Sequence, residues 1–291
     1  MSSFSRIAAV TGGNKGVGLA CVRQLALKYP QSALNNGPFL IYLTARNQER
    51  GEKALNDILQ DPQLKEAKAL QKDGGLSEVR YLPLDIDSQD SIKSFAATLK
   101  KEHPEGIDIL LNNAGIAMDG FDANVVKKTL HCNYYGTMEA VKQILPQIKE
   151  GGRIVNVASI VGLLDSKYAA PIRQRFLDAK KPDEITALME EFTTAVENNQ
   201  YEGTWPGAAY KVSKAGVIGM TKTLAMDNAR TGSKTLINSC CPGYVNTDMT
   251  KGRGTKTPDQ GAQTPVLLAL GDIEGSNANF WCNGEVTSWE R

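Results

Sequence analysis

Apolar positions along the chain follow two alternating rhythms. Short unbroken runs read as strands, and longer stretches with an apolar residue every third or fourth position read as helices. The run from Arg6 to Val10 leads into TGGNKGVG (Thr11 to Gly18) and then into the periodic segment LACVRQLALKY, so strand, glycine turn and helix follow directly. FLIYLTAR, ending at Arg46, is the second strand. Helical residues around Gly51 to Leu70 and a Lys/Asp/Gly/Ser-rich connection then carry the chain to EVRYLPL and Asp85-Ile86. IDILL runs into Asn112-Asn113-Ala114-Gly115, and after a helix containing Asn133 the strand RIVNVAS delivers Ser159. Further on, AAYKVSKAGVIGM reads as a helix, and TLINSCC opens onto the turn Pro242-Gly243-Tyr244-Val245-Asn246-Thr247. Before that helix, PDEITALMEEFTTAVENN places Ile185, Leu188, Met189, Phe192 and Val196 at helical spacing, an apolar face suited to packing on the core. The last apolar segments lie around Val266 to Leu270 and Phe280 to Trp281.

Strands that alternate with helices and read as continuous apolar runs predict an α/β fold. The expected form is a doubly wound parallel sheet covered by helices on both faces, with ligands collecting beyond the carboxyl ends of the strands. Arg46, Asp85, Asn112 and Ser159 all lie at such ends. With no repeat, linker or low-complexity tract to divide it, the chain is expected to be a single domain over residues 1–291.

Candidate chemistry follows from those positions. Glycines between a first strand and a first helix let the backbone approach a pyrophosphate, and the helix N-terminus offers it free N–H groups and a positive dipole end. The end of the second strand, where a ribose-reading acid would select NAD, carries Arg46 instead. With Lys15 and Arg50 it either surrounds a 2′-phosphate or is a solvated surface charge. Asp85 either meets an adenine amino group or caps the helix starting near Ser88. Tyr210 and Lys214 lie four apart on one helix face. A cation beside a phenol favours its ionisation, which suits proton donation and acceptance near neutral pH.

Composition narrows the partners. Thirty-three basic against thirty-two acidic side chains leave a net charge of +1, so there is no electrostatic footprint for nucleic acid or an anionic membrane, and a small neutral partner fits better. No run approaches the ~18 apolar residues of a membrane span. The five cysteines are an odd number without metal-ligand spacing, and the chain opens MSSFSR without a basic and then apolar leader. Reduced thiols in the cytoplasm are therefore expected, with Cys240 and Cys241 buried.

Taken in order, TGGNKGVG, NNAG, Asn133 in NYYG, Ser159, YKVSK and PGYVNT resemble the short-chain dehydrogenase/reductase family over nearly the whole chain. Within it the chain is most similar to the monomeric NADPH-dependent carbonyl reductases, through TAR after the second strand, CNYYGT, CPGYVNTDM and a long insertion at about 165–206 before the tyrosine. The resemblance implies a Rossmann fold with a helical insertion, a monomer, and reduction of aldehydes, ketones or quinones by hydride transfer from NADPH. The same residues would also serve an alcohol or steroid dehydrogenase working oxidatively, or a cofactor-sensing protein without turnover.

By that resemblance Tyr210 donates the proton, Ser159 holds the carbonyl oxygen, Lys214 binds the nicotinamide ribose and lowers the phenol's pKa, and Asn133 holds a relay water. Gly12, Asn14, Gly16, Val17 and Gly18 shape the pyrophosphate site. Asn112, Ala114 and Gly115 line the cofactor path beside Asp85 and Ile86. In the turn after the sixth strand, Pro242, Gly243, Val245 and Thr247 lie along the cofactor, the last two touching the nicotinamide amide. Val161 and Tyr244 stand in the substrate pocket, and no metal is implied. Tyr244 stands where relatives often carry tryptophan. Trp205 is read as a packed aromatic rather than a lid.

Overall fold

The structure is a computed structural model that describes residues 4–291. From the amino end, β1 (Arg6–Thr11) feeds α1 (Gly16–Lys28), β2 (Phe39–Ala45) feeds α2 (Gln48–Leu59) and the short α3 (Pro62–Glu66), and β3 (Ser77–Pro83) feeds α4 (Gln89–Glu102). After β4 (Ile107–Asn112), helices α5 (Ala123–Leu130) and α6 (Thr137–Ile144) are joined by a π-helical turn at His131–Gly136, and β5 (Ile148–Val157) follows. The insertion forms two helices, α7 (Ala170–Asp178) and α8 (Pro182–Glu197), ahead of the long α9 (Ala209–Arg230). Then come β6 (Leu236–Cys241), α10 (Pro258–Leu270), β7 (Phe280–Cys282) and β8 (Glu285–Val286).

The strands form one sheet in the order β3-β2-β1-β4-β5-β6-β7-β8, parallel from β3 to β7. The order reverses at β1, so the strand ends beside β1 and β4 open a crevice there. β8 departs from the expected all-parallel sheet by pairing antiparallel with β7. Its cause is local: Asn283 and Gly284 both take positive φ, 53° and 82°, the conformation of a two-residue hairpin turn.

Two apolar cores flank the sheet, as continuous strands require. Ala8, Val10, Ile41 and Leu43 pack toward α1 and α10 on one face, and Ala9, Tyr42 and Leu110 point to the face holding α9 and the insertion. On α8 the expected apolar stripe is wholly buried, from Ile185 to Val196, against α9 and α5. This close approach depends on a glycine: a Cβ at Gly216 would lie 2.7 Å from Met189 Sδ and 2.8 Å from Tyr134 Cδ2. Trp205 is buried against Phe176, Tyr168 and Phe192, with ring centroids 5.3–6.2 Å away, so it anchors the insertion.

Candidate active site

The glycine turn is held open by its neighbours. The Thr11 hydroxyl accepts from the Asn113 and Ala114 N–H groups, and Asn113 Nδ2 donates to the carbonyls of Thr11 and Gly12, so the ends of β1 and β4 are tied side by side. Only glycine fits at position 18, where a Cβ would stand 2.2 Å from the Gly12 carbonyl oxygen. Helix α1 begins with no side-chain cap and no acid in its first turn, which leaves its orphan N–H groups for an anionic ligand. Asn113 was not anticipated as a clamp, although its place in NNAG was visible.

At the far end of the crevice Lys15, Arg46 and Arg50 are exposed, and the residue that follows β2 is Arg46 rather than an acid. Lys15 is not simply solvated: its Nζ donates to Asp248 Oδ2 at 2.7 Å, joining the glycine turn to the loop after β6. That ammonium, with Arg50 beyond it, holds the Asp248 carboxyl below its usual range. Arg46 stands just before Asn47, whose side chain caps α2 by accepting from the Arg50 N–H at 2.9 Å. Of the two readings for Asp85, the cap goes elsewhere. Ser88 caps α4, while Asp85 Oδ1 accepts from the Asp87 N–H. Ile86 is buried, its carbonyl against Gly136 of the π-turn.

Nearer the catalytic end, two expected contacts become backbone matters. The Asn112 side chain is 3% exposed and donates to Asn156 Oδ1, with its own Oδ1 unpartnered, so only its main chain borders the crevice. Val245 likewise buries its side chain, in the space beside Gly261. Thr247 stays at the crevice, its methyl 3.2 Å from where a Cβ on Gly16 would be.

Asn133, Ser159, Tyr210 and Lys214 are brought together from the π-turn, the end of β5 and the first turns of α9. The Asn133 amide spans Ile116, accepting from its N–H at 2.8 Å and donating to its carbonyl at 2.9 Å, and donates again to Ser213 Oγ at 3.0 Å. Both amide hydrogens are spent, so this side chain positions the loop after β4 and has no N–H left for a relay water. Lys214 is 4% exposed, donates to the Val157 carbonyl at 2.8 Å and lies 5.6 Å from the Tyr210 ring centroid. Lys211, whose partners lie about fifty residues away in sequence, grips the approach to Ser159 by donating to the Val161 and Leu163 carbonyls and to Asp165.

Electrostatics here run against one expectation. Burial pushes the Tyr210 phenol up to about 12, with the neighbouring Cys241 thiol adding to the rise and a hydrogen bond from Ser159 opposing it. Burial also pulls the Lys214 ammonium down to about 8. Desolvation thus sets the value of both groups, and the Lys214 ammonium, itself stripped of water and bonded to Val157, does not offset the rise of the phenol.

Around this centre stand further apolar side chains beside the expected Val161 and Tyr244. Among the described residues, six large apolar side chains are exposed, and five of them lie in loops leaving the carboxyl ends of β4, β5 and β6: Met118, Ile160, Val161, Tyr244 and Met249. An ion pair between Lys251 Nζ and Asp119 at 2.7 Å joins the first of these loops to the last. Among the described residues no His/Cys/Asp/Glu cluster could hold a metal, and no helix is long and apolar enough to cross a membrane.

Comparison with known proteins adds three findings. The family profile of the short chain dehydrogenases matches residues 6–171 and 198–258, leaving out the stretch that holds most of α7 and α8. Carbonyl reductase [NADPH] 1 of Homo sapiens is 37% identical over 99% of this chain and 100% of its own length, and carbonyl reductase [NADPH] 3 of Rattus norvegicus is 39% identical over 93% and 92%. Among solved structures, salutaridine reductase from Papaver somniferum superposes with a TM-score of 0.79 at 25% identity, over 95% of this chain and 99% of that one. Menthone neomenthol reductase from Mentha piperita shares the fold, with a TM-score of 0.77 at 22% identity over 98% and 100%.

Proposed function

The chain belongs to the short chain dehydrogenase family, and we propose that it reduces carbonyl compounds, aldehydes, ketones or quinones, to alcohols with NADPH, Tyr210 being the proton donor. The observation that carries this reading is the convergence of Tyr210, Ser159 and buried Lys214, whose ammonium lies 5.6 Å from the Tyr210 ring centroid, at the end of a glycine-lined crevice whose other end is basic.

Residues fit the cofactor at each part of its expected path. Gly12, Asn14, Gly16, Val17 and Gly18 with the uncapped N-terminus of α1 would hold its pyrophosphate. Lys15, Arg46 and Arg50 would hold the 2′-phosphate, and the turn from Pro242 to Thr247 would border the nicotinamide. The bound cofactor supplies the hydride. The chain's own residues do the rest. Ser159 and Tyr210 offer hydroxyl donors to the oxygen on which charge grows, and Tyr210, raised to about 12, keeps its proton until that oxygen demands it. Lys214 keeps a cation beneath the site at neutral pH. The apolar rim of Ile160, Val161, Tyr244 and Met249 favours substrates whose carbonyl is carried on a bulky apolar body.

A panel of aldehydes, ketones and quinones with purified protein tests this reading through loss of reduced nicotinamide absorbance. Turnover of bulky apolar members with NADPH is expected, and binding of NADPH without turnover of any member would reject it.

The monomeric state and cytoplasmic location belong to the same proposal. Helix α8 lays its apolar stripe over α9 and α5, leaving little apolar surface there to drive association. All five cysteines are free. Light scattering reporting a stable dimer at micromolar concentration, or a tagged chain found outside the cytoplasm, would contradict these two points.

A further inference from the structure

Two of the five thiols stand together at the edge of the candidate active site. Cys241 ends β6 and Cys282 ends β7, and the two are direct partners in the parallel register of those strands. Partners in register point to the same face of a sheet, and both belong to the core beneath α9. The preceding pair in the register, Cys240 and Trp281, points the other way, so Cys240 cannot be the partner despite its adjacency. Cys241 lies in that core and Cys282 packs against it, so the two side chains share one face at neighbouring positions. Neighbouring strands run about 4.8 Å apart, inside the Cα separation of roughly 4.4–6.8 Å that a disulfide spans. Cys282 is partly open to solvent while Cys241 is buried, so one thiol is reachable and the other waits behind it.

We propose that Cys241 and Cys282 form a modification site, a dithiol that a hydroperoxide converts to a disulfide beside the active site. The balance is simple. A thiol sulfur attacks the peroxide oxygen, the O–O bond breaks, and an alcohol or water leaves with a sulfenic acid formed. The second thiol then displaces hydroxide from that sulfur, and its proton leaves with it as water. The peroxide is reduced by two electrons and the dithiol oxidised by two. Burial and the neighbouring thiol hold the Cys282 sulfur in its protonated form while the Lys256 ammonium works the other way, so the reaction is slower than that of a low-pKa sensor cysteine.

Closure has a route to the catalytic centre. Cys241 Sγ accepts from the Gly243 N–H at 3.2 Å and thereby sets the turn that presents Tyr244, and the same thiol weighs on the Tyr210 phenol. On the other side, Lys256 Nζ donates to Asn283 next to Cys282, while its own N–H donates to the Tyr244 carbonyl. Drawing the two sulfurs into a bond removes the acceptor from Gly243 and pulls on both ties.

The experiment uses the reduced full chain, whose NADPH-dependent turnover is measured first so that the functional reading is tested separately. After hydrogen peroxide, a catalase quench and alkylation without reduction, peptide mapping is expected to find Cys241 and Cys282 cross-linked, lighter by two hydrogens. Activity should fall in step, on the order of a hundredfold if the turn moves by ~1 Å, and dithiothreitol should restore both. Cys282→Ser should keep its activity and lose the reversible inactivation. Phenylarsine oxide, which bridges a dithiol with loss of one water and needs no oxidant, should protect both cysteines from alkylation in the parent chain and not in Cys282→Ser. The proposal is overturned if phenylarsine oxide masks neither thiol, if peroxide yields only sulfinic acid, or if Cys282→Ser is inactivated and rescued like the parent. A cross-link that leaves turnover unchanged would overturn the link to activity.

Discussion

At the basic end of the crevice Lys15, Arg46 and Arg50 stand exposed, whereas at the end that holds Tyr210 the side chains of Asn133 and Lys214 are sealed, the residues being 1% and 4% exposed. The contrast sets what each end can do. Exposed cations act on a ligand through a strongly screened field, so under the proposed reading they would choose between cofactors by attraction and tolerate changes of geometry. The buried end works through desolvation and fixed hydrogen bonds: Lys214 donates to Val157, and Asn133 spends both amide hydrogens on Ile116 and Ser213. Substitutions at the buried end should therefore cost rate, and those at the exposed end affinity.

The largest expected effect tests that division directly. Tyr210→Phe should lower turnover by about 10²–10⁴-fold, the typical worth of a general acid, while NADPH affinity measured by fluorescence stays within a few-fold of the parent. Wild-type turnover in this variant on every active substrate would end the proton-donor assignment.

Next in size is cofactor choice. Arg46→Asp should shift the ratio of NADPH to NADH affinity by on the order of a hundredfold, since a charge-assisted contact to phosphate is replaced by repulsion. Lys15→Ala should do less, because its charge is already partly answered by Asp248. Equal catalytic efficiency with both cofactors in the parent chain would mean that these are surface charges only.

Legibility follows the same contrast. The strands, the α8 stripe and the spacing of Tyr210 and Lys214 are local periodicities, and the glycine turn is punctuation, so all could be read from the chain. Partnerships were not legible when they joined residues far apart in sequence. Lys15 meets Asp248, Lys211 meets Asp165, and the Asn112 and Asn156 side chains pair within the sheet. The raised phenol was missed for a related reason, since a pKa there depends on burial, which spacing does not reveal. One local signal was simply overlooked, the Asn283-Gly284 pair that turns β7 into β8.

A pH profile separates the two buried titrations. Tyr210, at about 12, keeps its proton throughout the useful range, so the alkaline limb of kcat/KM should report Lys214 at about 8 and fall about tenfold per pH unit above it. The sign follows from the lowered value: above it the folded chain loses the cation that a solvent-exposed lysine would keep. Lys214→Arg, which does not titrate there, should remove this limb from whatever activity remains. A parent profile flat to pH 10 would show that Lys214 keeps its proton in the folded chain.

The smallest expected effect comes from the loop spanning the crevice between its two ends. Thr247 to Lys251 is tied at both sides, by Asp248 to Lys15 of the glycine turn and by Lys251 to Asp119 after β4, and Lys251 holds a left-handed backbone with φ of 53°. A non-glycine residue in that conformation is held there by its surroundings, and here the surroundings include an ion pair. Because both partners are largely exposed, Asp119→Lys should raise the NADPH dissociation constant only about twofold to fivefold. The double charge reversal Asp119→Lys with Lys251→Asp should recover most of that loss, and in roughly 1 M salt, where screening acts within about 3 Å, all three chains should bind alike. Aspartate also accepts the left-handed conformation more readily than lysine, so the reversal adds no backbone cost of its own. If the double variant binds no better than Asp119→Lys alone, the pair is a surface contact and the loop is held by Thr247 against the glycine turn.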